Sequence, residues 1–158
     1  MIEQAQGILF VCLGNICRSP TVEAVARAEF ARTGLAVPVA SCGTGHWHVG
    51  QGADSRAIEA GAAAGYDLSR HRARQLTQED FARYRLILGM DHANVDDLRR
   101  ACPPALRARV GLFLDVAAAT PPQEVPDPWH GGAADFAHVV TLAQRGVRGL
   151  IRLLQAET

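Results

Sequence analysis

The segment Cys12-Leu13-Gly14-Asn15-Ile16-Cys17-Arg18-Ser19-Pro20 sets a thiol six residues before a guanidinium, with the turn-forming pair Gly14-Asn15 between them. Where such a loop joins a strand to a helix, its backbone N–H groups and those of the first helical turn converge on its centre and make an anion site. The same positive potential favours thiolate over thiol at Cys12. Arg18 adds a planar fork of donors that holds two phosphate oxygens at once. A nucleophilic sulfur at the base of a cradle for a tetrahedral oxyanion points to phosphoryl transfer through a cysteinyl-phosphate intermediate. The departing alkoxide or phenolate then needs a proton. The candidate acid is Asp127, in Val125-Pro126-Asp127-Pro128-Trp129. Partial shielding and nearby anions favour its protonated form, and Trp129 offers a wall for an aromatic leaving group.

These residues need a scaffold, and the hydrophobic pattern predicts one. Ile8-Leu9-Phe10-Val11-Cys12 suits a buried parallel strand. Ser19-Pro20-Thr21 has the order of a helix start, with Ser19 as cap and Pro20 at the first helical position. Glu23 complements the dipole there. The stripe Val22, Val25, Ala26 and Phe30 carries the helix to a stop at Gly34. Val37 to Ser41 reads as a second strand, followed by a glycine-rich loop from Gly43 to Gly50 and a helical stretch near Ser55 to Ala64. Leu86 to Met90 reads as a third strand closing at Asp91, then a polar helix over Ala93 to Ala101 stopped by Pro103-Pro104. Val110 to Leu114 reads as a fourth strand. A proline-rich loop from Asp115 to Asp135 then carries Asp127, and a loop of that length is more often functional than accidental. The closing helix has the stripe Phe136, Val139, Val140, Ala143, Val147, Leu150, Ile151 and Leu154, which is core. The fold expected is α/β: a single domain over residues 1–158, built on a doubly wound four-stranded parallel sheet with helices on both faces. In such sheets ligands bind at the carboxyl ends of the strands, which is where Cys12 falls.

Composition removes other classes. At 158 residues, 48% hydrophobic and 20% charged, the chain is globular rather than disordered. No apolar run approaches the roughly 18 residues of a membrane helix. Met1 to Gly7 lacks the basic start and cleavage site of a secretory leader. Sixteen arginines, with no lysine, balance sixteen acids to zero net charge, which argues against a nucleic-acid partner. Four cysteines without a leader read as reduced thiols, so the expected compartment is the cytoplasm.

Blander readings were weighed at each position. Cys12 and Cys17 lack a paired second half for a zinc site. Cys12 as an inert strand-end thiol would leave the loop and Arg18 unexplained. His46, His48, His92, His130 and His138 read as surface or loop residues, and Cys102 as structural. Arg70 to Arg74 reads as a solvated face, with steering of anionic substrates as a second reading.

The chain resembles the low-molecular-weight protein tyrosine phosphatases over essentially its full length. The matching motifs are the Cys-x5-Arg-Ser loop, Asp-Pro-Trp near the C-terminus and, in order between them, Ser41-Cys42-Gly43-Thr44, Trp47-His48-Val49-Gly50, Asp54-Ser55-Arg56-Ala57, His71-Arg72-Ala73-Arg74-Gln75-Leu76 and Met90-Asp91. The resemblance implies that Cys12 is the nucleophile, Arg18 the phosphate and transition-state clamp, and Asp127 the acid for the first step and the base for the second. It implies a phosphate-binding loop of Leu13, Gly14, Asn15, Ile16, Cys17 and Arg18, with Asn15 shaping the loop through Ser41 and His71. Ser19 would donate to the thiolate, and Leu13, Ile16, Trp47 and Trp129 would line the cleft. In this family isoleucine at position 16 accompanies phosphotyrosine activity and threonine accompanies phosphoarginine activity. An apolar branch packs on a ring, whereas a hydroxyl suits a guanidinium.

The resemblance further implies phosphotyrosine-containing protein substrates, a cognate tyrosine kinase as partner, a monomer or weak dimer, and neither a metal nor an organic cofactor. Cys17 is either an inert loop residue or a disulfide partner that shields Cys12 from irreversible oxidation, and family precedent favours the second. Two departures stand out. His130 follows Trp129 where many relatives place a second aromatic, so phosphorylatable tyrosines are absent there, and Cys42 replaces the common alanine. Arsenate reduction needs two further cysteines after the third strand, and only Cys102 lies there. A phosphopeptide-binding module would need the cradle alone, without nucleophile and acid.

Overall fold

The strand β1, Ile8–Cys12, is apolar at every position because both of its faces are covered. Ile8, Phe10 and Cys12 turn to one face, where they pack with Val22, Val25, Phe30, Phe113, Val139, Val147 and Leu150. Leu9 and Val11 turn to the other, against Phe81, Val95 and Leu98. The period-two alternation of a strand thus feeds two hydrophobic layers. The computed structural model describes residues 6–157; residues 1–5, on which most of the leader reading rests, and residue 158 lie outside the described residues.

Three more strands join β1 in a parallel sheet: β2 (Val39–Gly43), β3 (Leu86–Gly89) and β4 (Val110–Leu112), in the order β2-β1-β3-β4. The helices are α1 (Arg18–Arg32), α2 (Ser55–Ala63), α3 (Gln78–Arg83), α4 (His92–Ala101), α5 (Phe113–Val116) and α6 (Ala133–Ala156). The chain runs from β1 outward to β2, then crosses back to β3 on β1's other side. Strand order therefore reverses between β1 and β3, and their carboxyl ends open a crevice there. The expected single-domain, doubly wound α/β architecture is the one observed.

Several boundaries differ from the sequence reading, each for a local reason. The helix α1 starts at Arg18, so Ser19 is its second residue rather than its cap, and the preceding Cys17 provides no side-chain cap. The Ser19 hydroxyl is instead turned toward Cys12 and Asn15. The second strand begins at Val39 rather than Val37, because Pro38 has no N–H; its carbonyl accepts from Ile8 N at 2.9 Å. The fourth strand ends at Leu112. Phe113 and Leu114, expected in the strand, turn instead into α5 and drive into the core, where the Phe113 ring meets Phe10 edge to face at 5.6 Å. The helix α3 was not foreseen, its six residues being too few for a visible stripe. It is secured by Asp80, whose Oδ2 accepts from Thr77 N at 2.8 Å.

The helix α6 approaches the α5 turn closely enough that only glycine fits at position 149. A Cβ there would lie 1.9 Å from the Ala117 carbonyl oxygen. This contact fixes where the chain leaves α5 to begin the loop bearing Asp127. In an open helix, alanine for glycine would stabilise by about 1 kcal/mol. Here Gly149→Ala is expected to destabilise by about 2 kcal/mol or more, because backbone must move to relieve the overlap. Chemical denaturation reads the difference, and a variant at least as stable as the parent would contradict this packing.

Candidate active site

Cys12 is the last residue of β1 and is buried at the floor of the crevice. Its sulfur lies 3.0 Å from Ser19 Oγ and accepts from Asn15 N at 3.3 Å. Asn15 is the pivot of the loop. Its φ of 58° is left-handed, a conformation that asparagine tolerates better than most residues, and it is fully buried. Its Nδ2 donates to Ser19 Oγ and to Ser41 Oγ, both at 2.9 Å. Its Oδ1 accepts from Arg74 N at 3.0 Å, and its carbonyl accepts from His71 Nε2–H at 2.6 Å. With Asn15 donating to Ser19 Oγ, the Ser19 hydroxyl proton has two acceptors, the Cys12 sulfur at 3.0 Å and the Cys42 carbonyl at 3.5 Å. Ser41 relays likewise, donating to Glu23 Oε1 at 2.5 Å. Gly43 completes the seat, since a Cβ there would lie 2.7 Å from the Leu13 carbonyl oxygen.

Arg18 opens α1 and is almost wholly buried. Its Nη1 donates to Asp91 Oδ2 at 2.6 Å and to the Val125 carbonyl at 3.1 Å. Burial works against its charge, but the facing Cys12 and the bond to Asp91 outweigh burial and raise its pKa further. Asp91 is held in turn, because its Oδ1 caps α4 by accepting from Asn94 N at 2.8 Å. The guanidinium is thus aimed by a carboxylate that the next helix fixes.

Asp127 lies on the loop over the crevice, and that loop is pinned on both sides. Before it, Val125 N donates to the Met90 carbonyl at 2.9 Å while Val125 O receives Arg18. After it, Arg56 Nη1 donates to the Trp129 carbonyl at 3.1 Å and the Gly131 carbonyl at 3.4 Å. The Arg56 guanidinium also lies over the rings of Phe136, at 4.5 Å, and Trp129, at 5.5 Å. Asp54 holds Arg56 through both carboxylate oxygens, and Asp54 N donates to the Ile16 carbonyl at 2.9 Å. One chain of contacts therefore links the loop after Cys12 to the loop around Asp127. Asp127 Oδ1 accepts from Trp129 N at 3.1 Å.

Cys12, Leu13, Gly14, Ile16, Cys17, Arg18, Trp47, Asp127 and Trp129 line one cleft of about 310 Å³. Leu13, Trp47 and Trp129 stand at its mouth, 43%, 61% and 41% exposed. His48 and His130 line it too, although their sequence context suggested only loop positions. His48 packs toward Trp129 with ring centres 5.9 Å apart, and its Nδ1 lies 2.9 Å from Gln51 Oε1. Ser41 and His71 lie behind the loop rather than in the cleft, as partners of Asn15. Cys17 faces an apolar cluster with Ile16, Ala57, Leu68 and Phe136. Burial first, then the negative charge of Asp54, pushes its thiol up to about 12, so it is protonated at neutral pH. Cys42 packs on the opposite face of the sheet from Cys12, and burial pushes its thiol up as well. Sequence reasoning gave Asp91 and Arg56 no role of their own. Asp91 offered a signal, an acid at the carboxyl end of a strand and the head of a polar helix.

The family described as low molecular weight phosphotyrosine protein phosphatase matches residues 7–158. Similar proteins include a low molecular weight phosphotyrosine protein phosphatase of Schizosaccharomyces pombe, 42% identical across 82% of this chain and 84% of that one. A low molecular weight protein-tyrosine-phosphatase of Streptomyces coelicolor is 39% identical across 95% and 94%. Among solved structures, a protein tyrosine phosphatase of Entamoeba histolytica superposes with a TM-score of 0.92 at 34% identity, covering 97% of this chain and 99% of that one.

The network around Asn15 makes a double prediction. Asn15→Ala strips hydrogen bonds from buried partners, at about 1–3 kcal/mol each, and places an alanine in a left-handed turn that costs about 1–2 kcal/mol. The variant is expected to lose a few kcal/mol of stability in denaturation and at least about tenfold in phosphate affinity. Asn15→Gly restores the backbone preference alone. It should regain part of the stability but little of the affinity, and equal recovery of both would contradict the side-chain network.

Proposed function

The chain belongs to the low molecular weight phosphotyrosine protein phosphatase family, and from that premise we propose that its residues hydrolyse phosphotyrosine through a phosphoryl group carried on Cys12. The carrying observation is convergence: the Cys12 sulfur, the Arg18 guanidinium and the Asp127 carboxyl all border one cleft. The backbone of Leu13 to Arg18 is the phosphate cradle, and Leu13, Ile16, Trp47 and Trp129 receive the ring. Reduced thiols suit a reducing compartment, the cytoplasm. A tyrosine kinase is the class of enzyme that must supply the substrate.

In the first step the Cys12 thiolate, stabilised by the Ser19 hydroxyl and the Asn15 N–H, attacks phosphorus. The P–O bond to the tyrosine ring breaks, and Asp127 donates its proton to the departing oxygen. Arg18 and the loop amides hold the equatorial oxygens, where charge concentrates in the transition state. In the second step Asp127, now ionised, takes a proton from water as that water attacks phosphorus. The S–P bond breaks, returning the thiolate and releasing inorganic phosphate. Arg18 keeps its aim through both steps because Asp91 and the Val125 carbonyl occupy the donors on its far side. Cys17, protonated at neutral pH, takes no part in the attack.

Two variants test the assignment. Cys12→Ser should abolish turnover of an aryl phosphate while vanadate binding measured by calorimetry persists; undiminished turnover would exclude Cys12 as nucleophile. Asp127→Ala should slow hydrolysis most for leaving groups of high pKa and least for those that depart without a proton. A uniform loss across a leaving-group series would remove Asp127 from the acid role.

A further inference from the structure

On the side of the phosphate loop away from the cleft lies a second concavity, of about 300 Å³, nearly the size of the first. Arg27 of α1 and Arg70, Arg72 and Arg74 of the segment between α2 and α3 line it, against only two carboxylates, Glu23 and Asp67. Both acids are engaged. Glu23 accepts from Ser41 and from Arg27 Nη2 at 2.7 Å, and Asp67 folds back to accept from Ser69 N at 2.8 Å. Arg74 is also satisfied, giving both terminal nitrogens to Asp80. The other guanidinium groups keep donors to give. Arg72 donates through Nη1 to the His71 carbonyl, and Arg70, within electrostatic reach of Asp67, makes no hydrogen bond or ion pair with a described residue. Free guanidinium forks around a concave floor match a compact anion with several charged oxygens.

The back wall of this concavity gives it a link to catalysis. Ser41, His71 and Arg74 line it, and these are the residues that hold Asn15 through its amide, its carbonyl and its side-chain oxygen. Asn15 in turn donates to the Cys12 sulfur on the cleft side. A ligand drawn onto Arg70 and Arg72 sits against that wall.

We propose that this concavity is a second anion site, for a compact polyanion bearing phosphoryl or carboxylate groups, and that its occupancy is transmitted to the phosphate loop through Asn15. Energy passed from one site to the other must also pass back, so an occupant of the cleft changes affinity at the rear by the same factor. The site lies outside the proposed catalytic machinery and does not depend on the chemistry assigned to Cys12.

Calorimetry on the full chain with its cleft saturated by benzylphosphonate, titrated with tripolyphosphate in one arm and citrate in another, tests the site. One equivalent of at least one anion should bind, more weakly as salt is raised. The double variant Arg70→Ala/Arg72→Ala should bind it at least about tenfold less well, which is about 1.4 kcal/mol, while its turnover of an aryl phosphate without added anion stays unchanged. The same titration followed by amide resonances should move Asn15 and Arg74 in the parent and not in the variant. Absence of binding by both anions, or binding indifferent to the double substitution, would overturn the site. Binding that leaves the Asn15 and Arg74 resonances still would overturn the link.

Discussion

Everything around the cleft depends on one residue being held in a left-handed turn. Without the φ of 58° at Asn15, the loop after β1 would not direct its N–H groups inward on Cys12. That turn is unfavourable for a residue with a side chain and persists because the surroundings over-determine it. Asn15 uses its amide, its carbonyl and both ends of its side chain, and its five partners come from four stretches of chain: Cys12 ending β1, Ser19 in α1, Ser41 in β2, and His71 and Arg74 before α3. A serine or aspartate at position 15 could not donate twice and accept once from the same side chain.

The second organising contact is Arg18. A buried guanidinium is costly unless its donors are met, and here Nη1 is met from two directions that matter. Asp91 ties it to the end of β3, and the Val125 carbonyl ties it to the loop bearing Asp127. Arg18 is thus also a strut for the loop that carries Asp127. Arg56 braces that loop from its other end while Asp54 N reaches the Ile16 carbonyl. Loops of this kind are ordinarily the mobile part of a fold. This one is anchored on either side of Asp127, which favours a cleft formed before substrate arrives over one assembled by it.

Much of this was legible in the sequence, and the pattern of what was not is physical. The α6 stripe read correctly because one-sided burial imposes a helical period, and β1 because burial on both faces leaves an unbroken apolar run. The α3 helix escaped because six residues carry no period, and its capping pair Thr77 and Asp80 looks like ordinary polar sequence. Phe113 was placed in a strand because an apolar residue next to Leu112 satisfies either structure; only the room beside Phe10 decides. Cys12, Arg18 and Asp127 were singled out by residue type and position, and the structure brings all three to one cleft. The brace Arg56 was not singled out, since its bonds to the Trp129 and Gly131 carbonyls join distant segments and leave no local trace, and the acid at Asp91 was visible while its pairing with distant Arg18 was not. His48 and His130 were underestimated for a similar reason, as a loop histidine reads the same whether it faces solvent or a cleft.

Arg70, Arg72 and Arg74 behind the phosphate loop show how one segment meets two demands. Within Arg70 to Arg74, His71 and Arg74 N face inward to Asn15, while the side chains of Arg70 and Arg72 face the rear concavity. A segment that only supported Asn15 would need the inward groups alone. Leaving arginine side chains unneutralised beside them costs self-repulsion that a polar neutral residue would avoid.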